Sequence, residues 1–377
     1  MDFNLETYED ELRFLVNIDS GSRCLEGVDQ VTTWFGKRFE ALGWSVEYIE
    51  PLPGEFGKSA FVHNGNPEAF DILILCHTDT VFPDGTAAAR PFSKTDERYT
   101  GPGVADMKAG CLMALHSLEQ LHQSGKLKGS VGIFFNGEHE LSCPNTRSFI
   151  EEQSQKAKFV VTTEPARADG SCVIQRKGIL RYTLTFHGRG AHSGVDPENG
   201  ICAVTQMAKT ILALKAFENP DKGINVNPGL VKGGVSINAI PSLAECKVDI
   251  RVTDLEDAYQ IDVAVRKLIL RPDDPRICIE LLGGITRPPL IPNKRSEELA
   301  DKIKQIGSSH GLAITWSFSG GGSDASFASA FCIPSLCGLG PVGGNYHTSR
   351  EYLETVDLIP RMRTFRDTIE MVCNSQI

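Results

Sequence analysis

The sequence predicts an α/β protein: a central mixed sheet with helices on both faces, plus an inserted smaller α+β sandwich. Three observations predict it. Short apolar runs bounded by turn residues alternate with amphipathic stretches over the first 165 residues, the pattern of strands laid beside covering helices. From about Gly178 the texture changes to alternating strands interleaved with two helices, and after Arg287 the first texture returns. The chain has 377 residues, more than the roughly 100–200 of an ordinary domain, so two cores are expected.

Taken in order, segments 71–76, 130–135 and 159–163 read as strands. Between the first two, 107–124 reads as a helix that begins directly after Asp106 and keeps Cys111, Ala114, Leu115, Leu118 and Leu121 on one apolar face. Segment 180–186 then alternates, 201–217 is helical, 231–237 and 243–252 alternate again, 255–270 is helical and 277–282 closes the series. This strand-helix-strand-strand-helix-strand order is that of a small α+β sandwich. The α/β texture resumes with 296–309, 313–317, 333–337 and a terminal helix over 358–373. Residues 1–177 and 287–377 are therefore expected to form the larger domain, and 178–286 the insertion.

Composition narrows the function. Hydrophobic residues are 41% and charged residues 23%, enough apolar surface to bury a core, which excludes disorder. The formal net charge is −10 with no Lys/Arg run, so nucleic acid is excluded as a partner. The longest apolar stretches, such as 72–76 and 131–135, fall far short of the roughly 20 residues of a membrane helix. Residues 1–21 mix Glu, Asp and Arg with apolar residues at helical spacing, unlike a signal peptide. Eleven scattered cysteines with no CxxC pair suit reduced thiols in the cytoplasm better than a disulfide scaffold.

His77 and Asp79, in CHTDT, would alone be two polar residues at a strand end. Further elements change that reading. Asp106 closes the glycine-punctuated loop GPGVADMK; Glu138, His139 and Glu140 follow the strand VGIFFN; Glu164 ends FVVTT; His347 sits in GGNYHTS. Each falls at the carboxyl end of an expected strand or in the loop beyond, where α/β sheets assemble their sites. Imidazoles and carboxylates converging there form a mixed nitrogen and oxygen donor set that suits zinc. One shared carboxylate plus two ligands per ion uses five residues, so the number of ligands points to two metals, which can polarise a carbonyl and activate water together.

These motifs, together with AHSG around His192, NAIP from Asn238 and GGGSD at 320–324, occur in an order that resembles one family. It is the dinuclear zinc metallopeptidase family of glutamate carboxypeptidase, acetylornithine deacetylase, succinyl-diaminopimelate desuccinylase and aminoacylase. The resemblance implies Asp106 as bridging ligand, His77 and Glu164 on one ion, and Glu140 and His347 on the other. It implies a cis peptide after Asp106 and a role for Asp79 in orienting a ligating imidazole. It implies that His192 reaches the active site of a homodimer partner, and that Asn238, Arg251, Arg287, Gly320 and Ser323 contact substrate or shape the lid. Arg287, in TRPPL, resembles an arginine that grips a substrate carboxylate, a task suited to a guanidinium fork. The implied cofactors are two divalent ions, zinc first, with manganese or cobalt as alternatives. The implied substrate is a small amide with a free carboxylate, an N-acyl amino acid or a dipeptide.

The match breaks at one position. The family carries a general-base glutamate before the ligand at 140, whereas this chain reads Glu138-His139-Glu140. Three readings stay open: His139 is the base; the register slips so that Glu138 is the base and His139 a ligand; or the metal pair serves another amide or amine reaction, or mere ligand binding. Ser142 and Cys143 also replace a glycine-containing segment, and Cys202 stands where asparagine is usual.

Overall fold

The computed structural model describes residues 3–374 except 51 and 53. The chain divides into two compact units. The first comprises Met1–Gln175, Pro292–Ser319 and Ser323–Ile377, and the second Arg176–Ile291 with Gly320–Gly322.

The first unit is built on a six-stranded mixed sheet. Its order is Ser45–Ile49, Ser59–His63, Val131–Asn136, Ile72–His77, Val160–Thr162 and Ser335–Leu336. The last four strands run parallel, and the first two pair antiparallel at one edge. The central strands read as unbroken apolar runs because both faces are covered. Alternation sends Ile72, Ile74 and Cys76 to one face, against the helices Leu5–Val16, Leu25–Glu40 and Ala109–Gln123, while Leu73 and Leu75 pack on the other with Phe134, Ile150 and Phe327. At roughly 25 cal/mol per Å² of apolar area, this two-sided burial is the main force holding the sheet.

The second unit is a four-stranded antiparallel sheet, ordered Asn225–Gly233, Leu243–Val252, Gly178–His187 and Cys278–Arg287. Leu180, Tyr182, Leu184 and Phe186 alternate inward beside Ala244, Cys246, Val248 and Ile250, facing the helices Ala203–Lys215 and Leu255–Ile269. The strand expected at 231–237 lies instead at Asn225–Gly233. It is an edge strand that tolerates Pro228, with a bulge between Pro228 and Leu230, and Gly234 at φ 79° turns the chain away. The expected helix 107–124 begins two residues later, at Ala109, because Asp106 and Met107 leave helical geometry. Among the described residues no helix is long and apolar enough to cross a membrane, and all eleven cysteines are free.

Candidate metal centre

Residues that are remote in sequence converge at the carboxyl ends of the first unit's parallel strands. His77 ends its strand and is 1% exposed. Its Nδ1 lies 2.9 Å from the Asp79 carbonyl oxygen and 3.4 Å from Asp79 Oδ1. That leaves Nε2 facing Asp106 Oδ1 at 3.2 Å and Glu164 Oε1 at 3.7 Å. The second oxygen of Asp106 lies 3.3 Å from His347 Nε2, which is itself 3.3 Å from Glu140 Oε1. Asp106 thus stands between two imidazoles, one oxygen toward each.

These separations decide whether the donors fit a metal. An ion with tetrahedral bonds of roughly 2.0 Å holds its ligand atoms about 3.3 Å apart, and the observed spacings of 3.2–3.7 Å match that edge. The donor atoms of His77, Asp106 and Glu140 lie within 4.8 Å of one another, as do those of His77, His139 and Glu164. Protons show the same demand for positive charge. Asp106, then Glu140, hold the His347 imidazolium up to about 10 against partial burial. Burial opposes protonation of His77, yet Asp106, Asp79 and Glu164 raise it well above its ordinary value. Burial likewise opposes ionisation of Asp106, but hydrogen bonds with His347 and His77 hold its carboxyl far below the usual range.

The surrounding shell is dense. Asp79 is fully buried and accepts from Ser22 Oγ at 2.7 Å and from the backbone N–H groups of His139 and Glu140 at 3.1 and 3.0 Å. It therefore fixes the His139–Glu140 turn as well as His77. The loop carrying Asp106 closes on Glu351, a fully buried carboxylate that accepts from the N–H groups of Gly103, Ala105 and Asp106 at 3.2, 2.9 and 3.1 Å. Burial and the Asp106 charge push Glu351 up to about 7, although the three N–H groups oppose them. Buried Lys108, lowered to about 8 by burial, donates to the carbonyls of Leu15 and Ile18 and ties the loop to the first helix. Gly110 lets the next helix approach the Glu164 strand: a Cβ there would lie 2.0 Å from Thr163 O. The Asp106–Met107 peptide is cis.

Glu138 does not join the cluster. It is fully buried and faces the following turn, accepting from Asn145 N, Asn145 Nδ2, Thr146 N and Thr146 Oγ1 at 2.5–2.9 Å. The reading that makes Glu138 the base therefore meets a carboxylate already committed to four donors. His139 does join. Its Nε2 lies 3.4 Å from Glu164 Oε1 and its Nδ1 3.0 Å from Asp324 Oδ1, and its ring stacks on His77 with centroids 4.1 Å apart and planes 4° from parallel. An imidazole lone pair lies in the ring plane, so one ion cannot sit in two parallel, stacked planes. In this geometry His139 and His77 do not share a metal.

Ser323 is buried and accepts from Cys337 Sγ and Ala325 N, so its hydroxyl frames its own loop instead of facing a substrate. Within the second unit, Arg251 is engaged with both oxygens of Asp249 and with Gly320 O, Arg287 is 3% exposed, and His192 and Asn238 are exposed. Sequence reasoning missed the parts played by Asp324, Glu351 and Ser22. The signal available for Glu351 was its place four residues after His347.

Fold and cluster together define a metal-dependent hydrolase. Residues 73–371 match the model of Peptidase family M20/M25/M40, and the chain belongs to that family. It is 27% identical over 359 residues to carboxypeptidase G2 from Pseudomonas sp. (strain RS-16), covering 93% of this chain and 85% of the relative. It is 25% identical over 356 residues to acetylornithine deacetylase from Erwinia tasmaniensis, covering 90% of each. In structure it resembles an M20 family metallo-carboxypeptidase from Sulfolobus solfataricus, with TM-score 0.76 and 16% identity over 98% of this chain and 100% of the other. An aminopeptidase from Bacillus cereus gives TM-score 0.77 and 20% identity over 98% and 99%.

Proposed function

We propose that the protein hydrolyses an amide bond in a small substrate bearing a free carboxylate, using two divalent ions, zinc first, and His139 as proton carrier. The observation that carries this reading is Asp106, whose two oxygens each lie 3.2–3.3 Å from a different imidazole. His77 and Glu164 would hold one ion, His347 and Glu140 the other, with Asp106 shared. When bound, the ions polarise the scissile carbonyl and lower the pKa of water. His139 Nε2 takes the proton from the attacking water and returns it to the leaving nitrogen as the C–N bond breaks, giving a carboxylate and an amine.

Carboxypeptidase G2 and acetylornithine deacetylase both carry names that imply amide cleavage beside an amino acid. For this chain we assign Arg287 to the substrate carboxylate. His192 Nδ1 accepts from the N–H groups of Gly194 and Val195, both at 3.1 Å, so Nε2 carries the proton and is suited to donate to a developing oxyanion. We assign that role to His192 in a homodimer, with Asn238 and Gly320 contributing to substrate contact, and we place the enzyme in the cytoplasm. The second unit leaves Leu230, Val231, Val235 and Ile237 exposed by 65, 57, 96 and 103%, an apolar edge that supports dimerisation there.

The test is hydrolysis of a panel of N-acyl amino acids and dipeptides by the metal-loaded enzyme, the chelated enzyme, His139→Ala and His139→Glu. Activity that chelation and His139→Ala each abolish supports the reading. Inert wild type with an active His139→Glu would refute it and turn the search to another amide reaction.

A further inference from the structure

An imidazole can replace a carboxylate base only if one of its two nitrogens is fixed as the acceptor, because neutral imidazole exists as two tautomers. The groups around His139 Nδ1 supply that control. Asp324 is 3% exposed and places Oδ1 3.0 Å from Nδ1. A carboxylate only accepts, so Nδ1 must donate to Asp324; Nε2 faces Glu164 Oε1 at the longer 3.4 Å, and with the Glu164 carboxylate turned to an ion the lone pair is left on Nε2. Asp324 is itself immobilised: Asn136 Nδ2 donates to Oδ2 at 3.0 Å and Cys143 Sγ to Oδ1 at 3.1 Å. Cys143 reaches it because the turn after His139 takes left-handed backbone at Ser142 and Cys143, with φ 68° and 56°. The turn therefore carries a side chain whose contact is with Asp324, and stacking on His77 sets the plane of the His139 ring.

We infer that Asp324 is the positioning residue of this site: its carboxylate, 3.0 Å from Nδ1, holds the His139 ring as the Nδ1–H tautomer with Nε2 turned toward the metal cluster. The inference rests on the proposed role of His139 and supplies what that role lacks, a fixed tautomer. His139, Asp324 and the Cys143 thiol thus act as one unit in place of a lone carboxylate.

The experiment compares Asp324→Asn, Asp324→Ala, His139→Ala and the double alanine variant in the full-length, zinc-loaded enzyme, using the panel member that wild type hydrolyses. Bound zinc is counted in each. Asp324→Asn is nearly isosteric, so it reports even if Asp324→Ala fails to fold. Its expected effect is a fall in kcat of roughly 10–100-fold, as for other residues that orient an active imidazole, with KM within about twofold and zinc unchanged. Asp324→Ala should add nothing to His139→Ala, since residues acting as one unit are not additive. Independent multiplication of the two losses, or full kcat in Asp324→Asn, would overturn the inference. A second readout needs no turnover: imidazole 15N spectra of the chain without added metal, with the His139 signals assigned by their loss in His139→Ala. A protonated Nδ1 that becomes mixed in Asp324→Asn supports the inference, and an Nε2–H tautomer in wild type overturns it. If no panel member is hydrolysed, the functional reading fails while these spectra still decide the role of Asp324.

Discussion

Replacing Glu351 with Gln should weaken the metal centre without touching any ligand. The carboxylate accepts three backbone N–H groups of the loop that ends in Asp106. A glutamine amide can keep its oxygen on the Ala105 and Asp106 side but then points its NH2 at Gly103 N–H, donor against donor. The loss is one charge-assisted bond, about 1.5–3 kcal/mol, together with an unmet buried N–H at about 1–3 kcal/mol; since the two overlap, about 2–4 kcal/mol is expected. Removing the charge also relieves repulsion with Asp106, part of what pushes Glu351 up to about 7. That relief matters most while no metal ion sits on Asp106, whose charge its two imidazolium partners then offset only in part. At pH 8 the variant should therefore lose more stability when zinc-loaded than when chelated. Urea unfolding followed by circular dichroism, with zinc content measured alongside, tests this, and zinc affinity should fall roughly 10–100-fold. A loss below about 1 kcal/mol with both ions retained would refute the idea that Glu351 anchors the loop.

Glu138→Ala should act on the fold, costing on the order of 3–5 kcal/mol by leaving the Asn145 and Thr146 N–H groups unmet, whereas His139→Ala should lower kcat by about 10²–10⁴; thermal melts beside kinetics separate the two. Zinc loading at pH 7 should release protons, since His77 and His347 are held protonated in the metal-free cluster; titration calorimetry in buffers of different ionisation enthalpy would show release, and none would contradict the cluster. His347 is raised from 6.5 to about 10, so its contribution to metal-free stability is complete below pH 6.5 and fades as pH rises through 10. Melting of the chelated protein over that window should show a decline that His347→Gln reduces. Leu230→Glu combined with Val231→Lys should shift the protein to a monomer in sedimentation analysis; an unchanged dimer would place the interface elsewhere.

Much of this architecture is legible in the chain. The continuous apolar runs at 72–76 and 131–135 mark strands buried on both faces, and the change of period near Gly178 marks the second unit, because side-chain burial follows backbone period directly. The candidate donors at 77, 106, 140, 164 and 347 stand directly after apolar strands or in the loops beyond, and the resemblance of their motifs to one family singles these five out. The edge strand starts six residues before the position its alternation suggests, since a strand paired on one side only has weak alternation and admits proline.

The three acidic and imidazole side chains at 138–140 show where sequence stops. Neighbours in a turn point in different directions, and which one enters the site depends on partners supplied by distant segments. Asn145 and Thr146 draw Glu138 away, Asp79 fixes the backbone of the next two residues, and Asp324 arrives from beyond the second unit to claim His139. The sequence alone determined the fold class, because it follows from local pattern, and it offered the candidate donors. Only the tertiary structure decided which nitrogen and which carboxylate face one another, because side-chain partners, whether a turn away or far along the chain, leave no periodic trace in it.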